Sequence, residues 1–393
     1  MTMRILFLSK DILFPLDSGG KIRTVNVLRQ LGNAHEVDVV SVLCLGEEVF
    51  VPAMQELCRR FIYVDGVRHP KRGTGFVLRL LRNAFSRMPY TMMNDCHTGL
   101  KKRIYEIIAG YDLLVCDFLF PALNCLDVVI PKLLFQHNVE SMIFERHAQH
   151  TRGLKRLVWR VQYKRARAIE EQIVNRFDYV MCVSEPDARF HREVFGVRRV
   201  GHMDLGVDVE HYRYDGSPKE SRSIVFTGSM DWRPNDDAVR YFHESVFPKL
   251  PGYMFYAVGK NPSEALMRMS SQRFVVSGRV PDIRPYLHKA EVYVVPLRVG
   301  GGTRIKIFEA MAAGVPVVST TIGAEGLPVR DGENIVIRDT AEGIAEAIKE
   351  LSERPAMRSE IARRAYEYVR SSFSWEQVCR PFIAACEQTV GEQ

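Results

Sequence analysis

The sequence predicts an α/β protein of two doubly wound parallel-sheet domains, and three observations carry the expectation. Short apolar runs rich in branched and aromatic residues alternate with helix-length amphipathic segments through both halves of the chain. This rhythm breaks at a turn-rich stretch near 200–220 and then restarts. Finally, Gly300, Gly301 and Gly302 open a cationic helix that leads into a buried strand, the loop, helix, strand order of a doubly wound sheet.

The elements follow in order. In the first half, strands are expected at 4–9, 37–42, 61–64, 113–116, 132–136 and 179–184, each of strand length and rich in Val, Ile, Leu, Phe or Tyr. Helices are expected at 21–31 and 153–177. Strands that alternate with helices pair in parallel, with helices covering both faces. In the second half, strands are expected at 223–227, 253–258, 274–276, 292–295, 315–319 and 334–337, with a helix at 236–247. A chain of 393 residues has length for two cores at roughly 100–200 residues per domain. The expected division is 1–202, 203–370 and a C-terminal segment 371–393, whose helix at 375–386 folds back on the first domain.

The glycine-opened helix is the most informative segment. Glycines let the backbone approach a ligand with no Cβ in the way, and the free N–H groups from Thr303 onward carry partial positive charge. Arg304 and Lys306 add full charges. Glu309-Ala-Met-Ala is a strong helix former, and Gly314 is a natural stop. The Gly-Lys-Ser/Thr and Gly-x-Gly-x-x-Gly spacings are both absent, so this is neither a Walker loop nor a dinucleotide fingerprint.

Charge is uneven. The chain carries a net +7, and its cations cluster at 68–103 and 152–167 among apolar residues, Leu154, Leu157, Val158 and Val161 recurring at helical spacing. Such basic amphipathic stretches fit an anionic membrane face or a phosphorylated acceptor, or simply a solvated helix face. Nucleic acid is not expected, since no recognition module accompanies the cations. The 8 cysteines form no Cys-x-x-Cys pair and several sit in apolar runs, which suggests free buried thiols in a reducing compartment. With no secretory signal and no run of about 18 apolar residues, the expected location is cytoplasmic, with peripheral contact at the inner face of the plasma membrane.

Four blocks carry a resemblance: Ser223-Ile-Val-Phe-Thr-Gly228, Gly278-Arg-Val-Pro-Asp-Ile-Arg-Pro-Tyr-Leu287, the stretch from Val294 to Val318, and Asp331-Gly-Glu-Asn334. In order and spacing they resemble the retaining GT-B glycosyltransferases of the family 4 type, and the likeness extends over nearly the whole chain. The resemblance implies two Rossmann-like domains facing across a cleft. The C-terminal one would hold a nucleotide diphosphate sugar, and the N-terminal one would shape the site for a saccharide or lipid-linked saccharide acceptor.

It also implies roles. Glu309 would accept hydrogen bonds from the donor ribose, a task that suits an acceptor-only carboxylate. Lys306 and Arg233 would neutralise the departing diphosphate. Gly19 and Gly20, with Asp17 and Ser18, would form a loop that lets a helix start approach the donor. His137, at a strand's C-terminal end, would act beside the transferred sugar, and Ser184-Glu185 would position. Gly228, Arg279, Gly301, Gly302, Thr303 and Arg304 would complete the donor side. Gly301 stands where the family usually has an acidic residue facing the sugar, so the backbone there takes over the contact or the donor sugar differs. No metal or other cofactor is expected, because cations can do the neutralising and no Asp-x-Asp or His/Cys cluster stands out. A nucleotide-sugar epimerase and a silent sugar-binding protein share the fold and stay open as alternatives.

Overall fold

The computed structural model describes residues 2–67, 83, 86, 88–92, 95–299 and 305–391. Most of the expected basic stretch at 68–103 lies outside them. The chain divides into two compact units, Met1–Asp204 with Val378–Gln393, and Leu205–Gln377.

The first unit holds β1 (Arg4–Leu8), β2 (Glu36–Cys44), β3 (Arg60–Gly66), β4 (Leu113–Asp117), β5 (Lys132–Gln136), β6 (Tyr179–Cys182) and β7 (Val200–His202) in one sheet of order β3-β2-β1-β4-β5-β6-β7. All pairings are parallel, with Ile5 opposite Val37 on one side and Leu113 on the other. Strands buried on both faces need near-continuous apolar sequence, and Ile5, Leu6, Phe7 and Leu8 are fully buried. Helix α1 (Gly19–Ala34) begins after Ser18, whose hydroxyl accepts from the Lys21 N–H. α2 (Glu140–His150) and α3 (Gly153–Val174) pack on one another. The last helix, α4 (Trp375–Gly391), places the Phe382 ring 4.8 Å from Phe135 and Glu387 3.8 Å from His35.

The second unit holds β8 (Ser223–Thr227), β9 (Met254–Val258), β10 (Phe274–Gly278), β11 (Val292–Val295), β12 (Val317–Ser319) and β13 (Val336–Ile337), again parallel, in the order β10-β9-β8-β11-β12-β13. Phe226, Phe255, Phe274 and Tyr293 are fully buried between sheet and helices, each side chain worth roughly 1.5–3 kcal/mol of apolar transfer. In both sheets the strand order reverses beside the first strand of the unit, between β1 and β4 and between β8 and β11. Connections there leave in opposite directions and open a crevice at the strands' carboxyl ends, the usual ligand position in such folds.

Several expected boundaries shift. The strand β7 was not expected, because three residues that follow Arg198 and Arg199 carry too little apolar signal. The first unit ends at Asp204 rather than 202, and the second runs to Gln377 rather than 370. The helix expected at 236–247 starts at Arg233, where Pro234 suits the first turn, and its last turns widen to a π-helical stretch, Phe242–Val246. All 8 cysteines are free, but only five are buried: Cys44 and Cys58 are half-buried and Cys96 is exposed.

Candidate functional site

In the second unit, the loop after β8 and the helix after β11 meet at the crevice. Gly228 follows β8, and its N–H donates to the Val258 carbonyl at 3.0 Å. A Cβ at Gly228 would lie 2.5 Å from Asn235 Nδ2 and 2.8 Å from Lys306 Nζ, so only glycine fits where loop and cation converge. Lys306 belongs to the helix Ile305–Ala312, which buries Ile307, Phe308, Ala310 and Met311 on its core side. Its ammonium donates to Asn235 Oδ1 at 2.8 Å and stands 4.3 Å from the Phe226 ring centre. Asn235 in turn donates to the Ser229 carbonyl at 2.8 Å, which ties the loop to the helix Arg233–Tyr241. The lysine is therefore held in place before any ligand arrives.

Glu309, one turn beyond Lys306, is half-buried and accepts from the Tyr212 hydroxyl at 2.9 Å through Oε1. Burial raises its pKa, against the pull of Tyr212 and Lys306. Burial also raises the Tyr212 phenol, helped by the nearby Glu309 charge, so the hydroxyl stays protonated as donor. Beneath them Tyr293 and Thr227 share a buried hydroxyl pair at 2.6 Å. The helix ends as expected at Gly314, whose φ is +65°. The Gly314 N–H reaches Met311 and the Val315 N–H reaches Ala310, both at 3.0 Å, the paired bonds of a Schellman stop.

The other expected donor residues are less closely engaged. Arg233 is exposed at the first position of its helix, with no partner among the described residues. Arg279 is exposed just after β10, in a loop that the Gly259 N–H ties to the Gly278 carbonyl at 3.2 Å. Gly301, Gly302, Thr303 and Arg304 lie outside the described residues.

The first unit brings His137 and Gly20 together. His137 follows β5 and is 5% exposed. Its Nε2 is 2.8 Å from Asp117 Oδ1, its Nδ1 is 3.4 Å from Arg23 Nη1, and its ring stacks on Phe118 with centres 3.8 Å apart. Burial lowers the His137 pKa against the raising effect of Asp117. A neutral imidazole that donates Nε2–H to Asp117 and accepts at Nδ1 from Arg23 uses both of its ring nitrogens. Thr24 donates to the other Asp117 oxygen at 3.0 Å. Burial takes the Arg23 guanidinium down to about 10, and its Nε has no partner among the described residues. A Cβ at Gly20 would meet Phe118 Cζ at 3.0 Å and His137 Nδ1 at 3.8 Å, so the helix start lies directly on this cluster. Gly19 is exposed. Ser184 caps the helix Glu185–Val194 by accepting from Asp187 N–H at 3.3 Å, and Glu185 pairs with His202 at 3.0 Å.

Residues the sequence reading passed over hold these groups in place: Asn235, Tyr212, Asp117, Arg23, Thr24 and Phe118. Three carried a signal. Asp117 is an acid ending an apolar strand, and Arg23-Thr24 fall in the first turns of a helix opened by glycines. Among the described residues, no group of three His, Cys, Asp or Glu could hold a metal ion, and no helix is long and apolar enough to cross a membrane.

Comparison with known proteins agrees with the geometry of the second unit. The family described as Glycosyl transferases group 1 matches residues 221–354. The chain is similar to an uncharacterized 44.6 kDa protein in the cps region of Klebsiella pneumoniae, at 21% identity over 95% of this chain and 97% of that one. It is also similar to the phosphatidyl-myo-inositol mannosyltransferase of Mycolicibacterium smegmatis, at 29% identity over 62% of this chain and 64% of that one. Among solved structures, HepE of Anabaena in complex with UDP matches with a TM-score of 0.65 at 14% identity, over 98% of this chain and all of that one.

Proposed function

We propose, from the premise that this chain is a glycosyltransferase of the group 1 family with the GT-B fold, that it moves a sugar from a nucleotide diphosphate to an acceptor hydroxyl with retention. The observation that carries the reading is the convergence of Gly228, Asn235 and Lys306 at the switch point of the second sheet. It offers a fixed cation beside a backbone that a diphosphate can approach closely. Bond cleavage builds negative charge on the diphosphate, and a preformed cation stabilises that charge without reorganising. Arg233 adds a second cation from the adjacent helix start. Glu309 keeps Oε2 for a ribose hydroxyl while Tyr212 holds Oε1.

On this reading the departing diphosphate accepts the acceptor's proton, so no protein nucleophile is required, and neutralisation by Lys306 and Arg233 takes the place of a metal. His137, its neutral imidazole ordered by Asp117, and Gly20 are the first unit's candidates for contact with the transferred sugar. An epimerase would need a free acid and base, whereas both His137 nitrogens are engaged.

For the acceptor, we favour a lipid-linked saccharide presented at an anionic membrane face in glycoconjugate assembly. Two things support it: the similarity to a mannosyltransferase named for a phosphatidylinositol acceptor, and an exposed basic and apolar face on α3. Arg156, Arg160 and Lys164 are exposed there beside Leu157, Val158 and Val161, which are 58%, 54% and 39% exposed. Incubation with a panel of radiolabelled nucleotide sugars, with and without lipid-linked acceptors, tests the proposal. Transfer from one donor supports it, and a protein that neither binds nor hydrolyses any of them overturns it.

A further inference from the structure

The second unit has a second recess, at the edge of its sheet opposite the crevice. Its lining residues precede their strands: Lys219 comes before β8, Glu291 before β11, and Gly314 and Pro316 before β12. Gly228 and the helix of Lys306 follow the carboxyl ends of β8 and β11. A five-residue strand separates the two edges by about 17 Å, so the two sites are distinct. The recess has a volume of about 580 Å³, within the range of roughly 300–1,000 Å³ for small-molecule sites.

Five cations line it, Arg213, Lys219, Arg358, Arg363 and Arg370, against the single carboxylate of Glu291. Arg358 is committed to Glu291 at 2.7 Å. Arg363 pairs with Glu360 and Glu367 at 2.8 Å and Arg213 with Glu210 at 3.6 Å, but these are exposed pairs, each worth about 0–1 kcal/mol and easily exchanged for a ligand. Lys219 is the telling member. Its Nζ is buried with no hydrogen-bond partner among the described residues, the Tyr214 ring stands 4.6 Å away, and the carboxylates of Asp215 and Glu291 act on its charge without bonding it. A buried ammonium with three unused donors is costly unless an anion completes it. Burial, with repulsion from Arg358, takes its pKa down to about 8. Arg370 is exposed at the rim beside Tyr366.

We propose that this recess is a binding site for a phosphate-bearing small molecule, held by Lys219, Arg370 and the arginines around them, with Tyr214 and Tyr366 beside the rest of the ligand. The ligand is distinct from the sugar donor, and the site stands whether or not the donor assignment does.

The test uses full-length protein with Lys306→Ala, which removes the donor-side cation, and inorganic pyrophosphate as probe in titration calorimetry. Adding Lys219→Met weakens pyrophosphate binding by roughly ten- to a hundredfold, the worth of a charge-assisted hydrogen bond. Lys219→Arg retains it. The melting temperature of the Lys219→Met protein stays level or rises, because a desolvated charge is removed. Arg370→Gln repeats the test without altering a buried group. Vesicles of phosphatidylcholine doped with phosphatidic acid separate the sources: Lys219-dependent flotation assigns the phosphate to a lipid headgroup, and binding of soluble pyrophosphate alone assigns it to a solute. Equal affinity with and without Lys219 and Arg370, or no pyrophosphate binding in the Lys306→Ala protein, overturns the site.

Discussion

Asp117 Oδ1 lies 2.8 Å from His137 Nε2, with the carboxylate 1% and the imidazole 5% exposed. A charge this deep persists only when its lone pairs are used, and Thr24 and His137 use them. The histidine is thus part of the scaffold as well as a candidate for the sugar side.

Replacement of His137 should separate these two roles. His137→Ala leaves Asp117 short of a partner and is expected to cost about 1–3 kcal/mol in urea unfolding. Asp117→Asn keeps the shape and the Thr24 contact but removes the charge beside the buried Arg23, so it should also lose stability, while turnover falls more than substrate affinity. Unchanged turnover in Asp117→Asn would leave the pair a purely structural one.

Lys306→Ala should weaken nucleotide-sugar binding and turnover together, by roughly 2–4 kcal/mol in transition-state terms. Glu309→Ala should mainly weaken binding. Asn235→Leu, which removes the residue that aims Lys306, should show a smaller loss of the same kind. Calorimetry giving wild-type nucleotide affinity in both Lys306→Ala and Glu309→Ala would remove the donor assignment.

His191 is fully buried between Phe190 and Phe195, neither ring nitrogen has a partner among the described residues, and burial takes its pKa down to about 4. Below the unfolded value near 6.5 the unfolded chain binds the extra proton, so stability should fall as pH drops from about 6.5 toward 4. At pH 5 this amounts to roughly 2 kcal/mol. His191→Leu should lose less stability than wild type between pH 7.5 and 5, as read by urea unfolding at each pH. Glu170, raised to about 7 by burial, works in the opposite sense, but it is present in both proteins and cancels in the comparison.

Charge reversal of Arg156, Arg160 and Lys164 to Glu should release the protein from anionic vesicles and lower transfer to a lipid-linked acceptor, with donor hydrolysis unchanged. Binding of the unaltered protein should fade with salt, as screening shortens to about 8 Å at physiological ionic strength. Flotation assays decide it, and a protein that ignores anionic lipid at low salt would point to a soluble acceptor.

Much of this arrangement was legible in the sequence because it is local. The apolar runs of β1, β4, β8 and β11 announce a parallel sheet, and Gly314 announces the end of its helix. What stayed hidden depends on distant pairings. Asn235 and Lys306 are 71 positions apart and Tyr212 and Glu309 are 97 apart, and no period or motif records such partners. Likewise, Lys219 looks like an ordinary surface lysine until the fold shuts water away from its ammonium.

Phe118 has a φ of +69°, a region that costs a residue with a Cβ about 1–3 kcal/mol. Glycine there would relax the backbone and remove the ring that stacks on His137. Selection for heat tolerance and selection for transfer would then pull this position in opposite directions. A mutational library screened under both regimes would show position 118 changing sides.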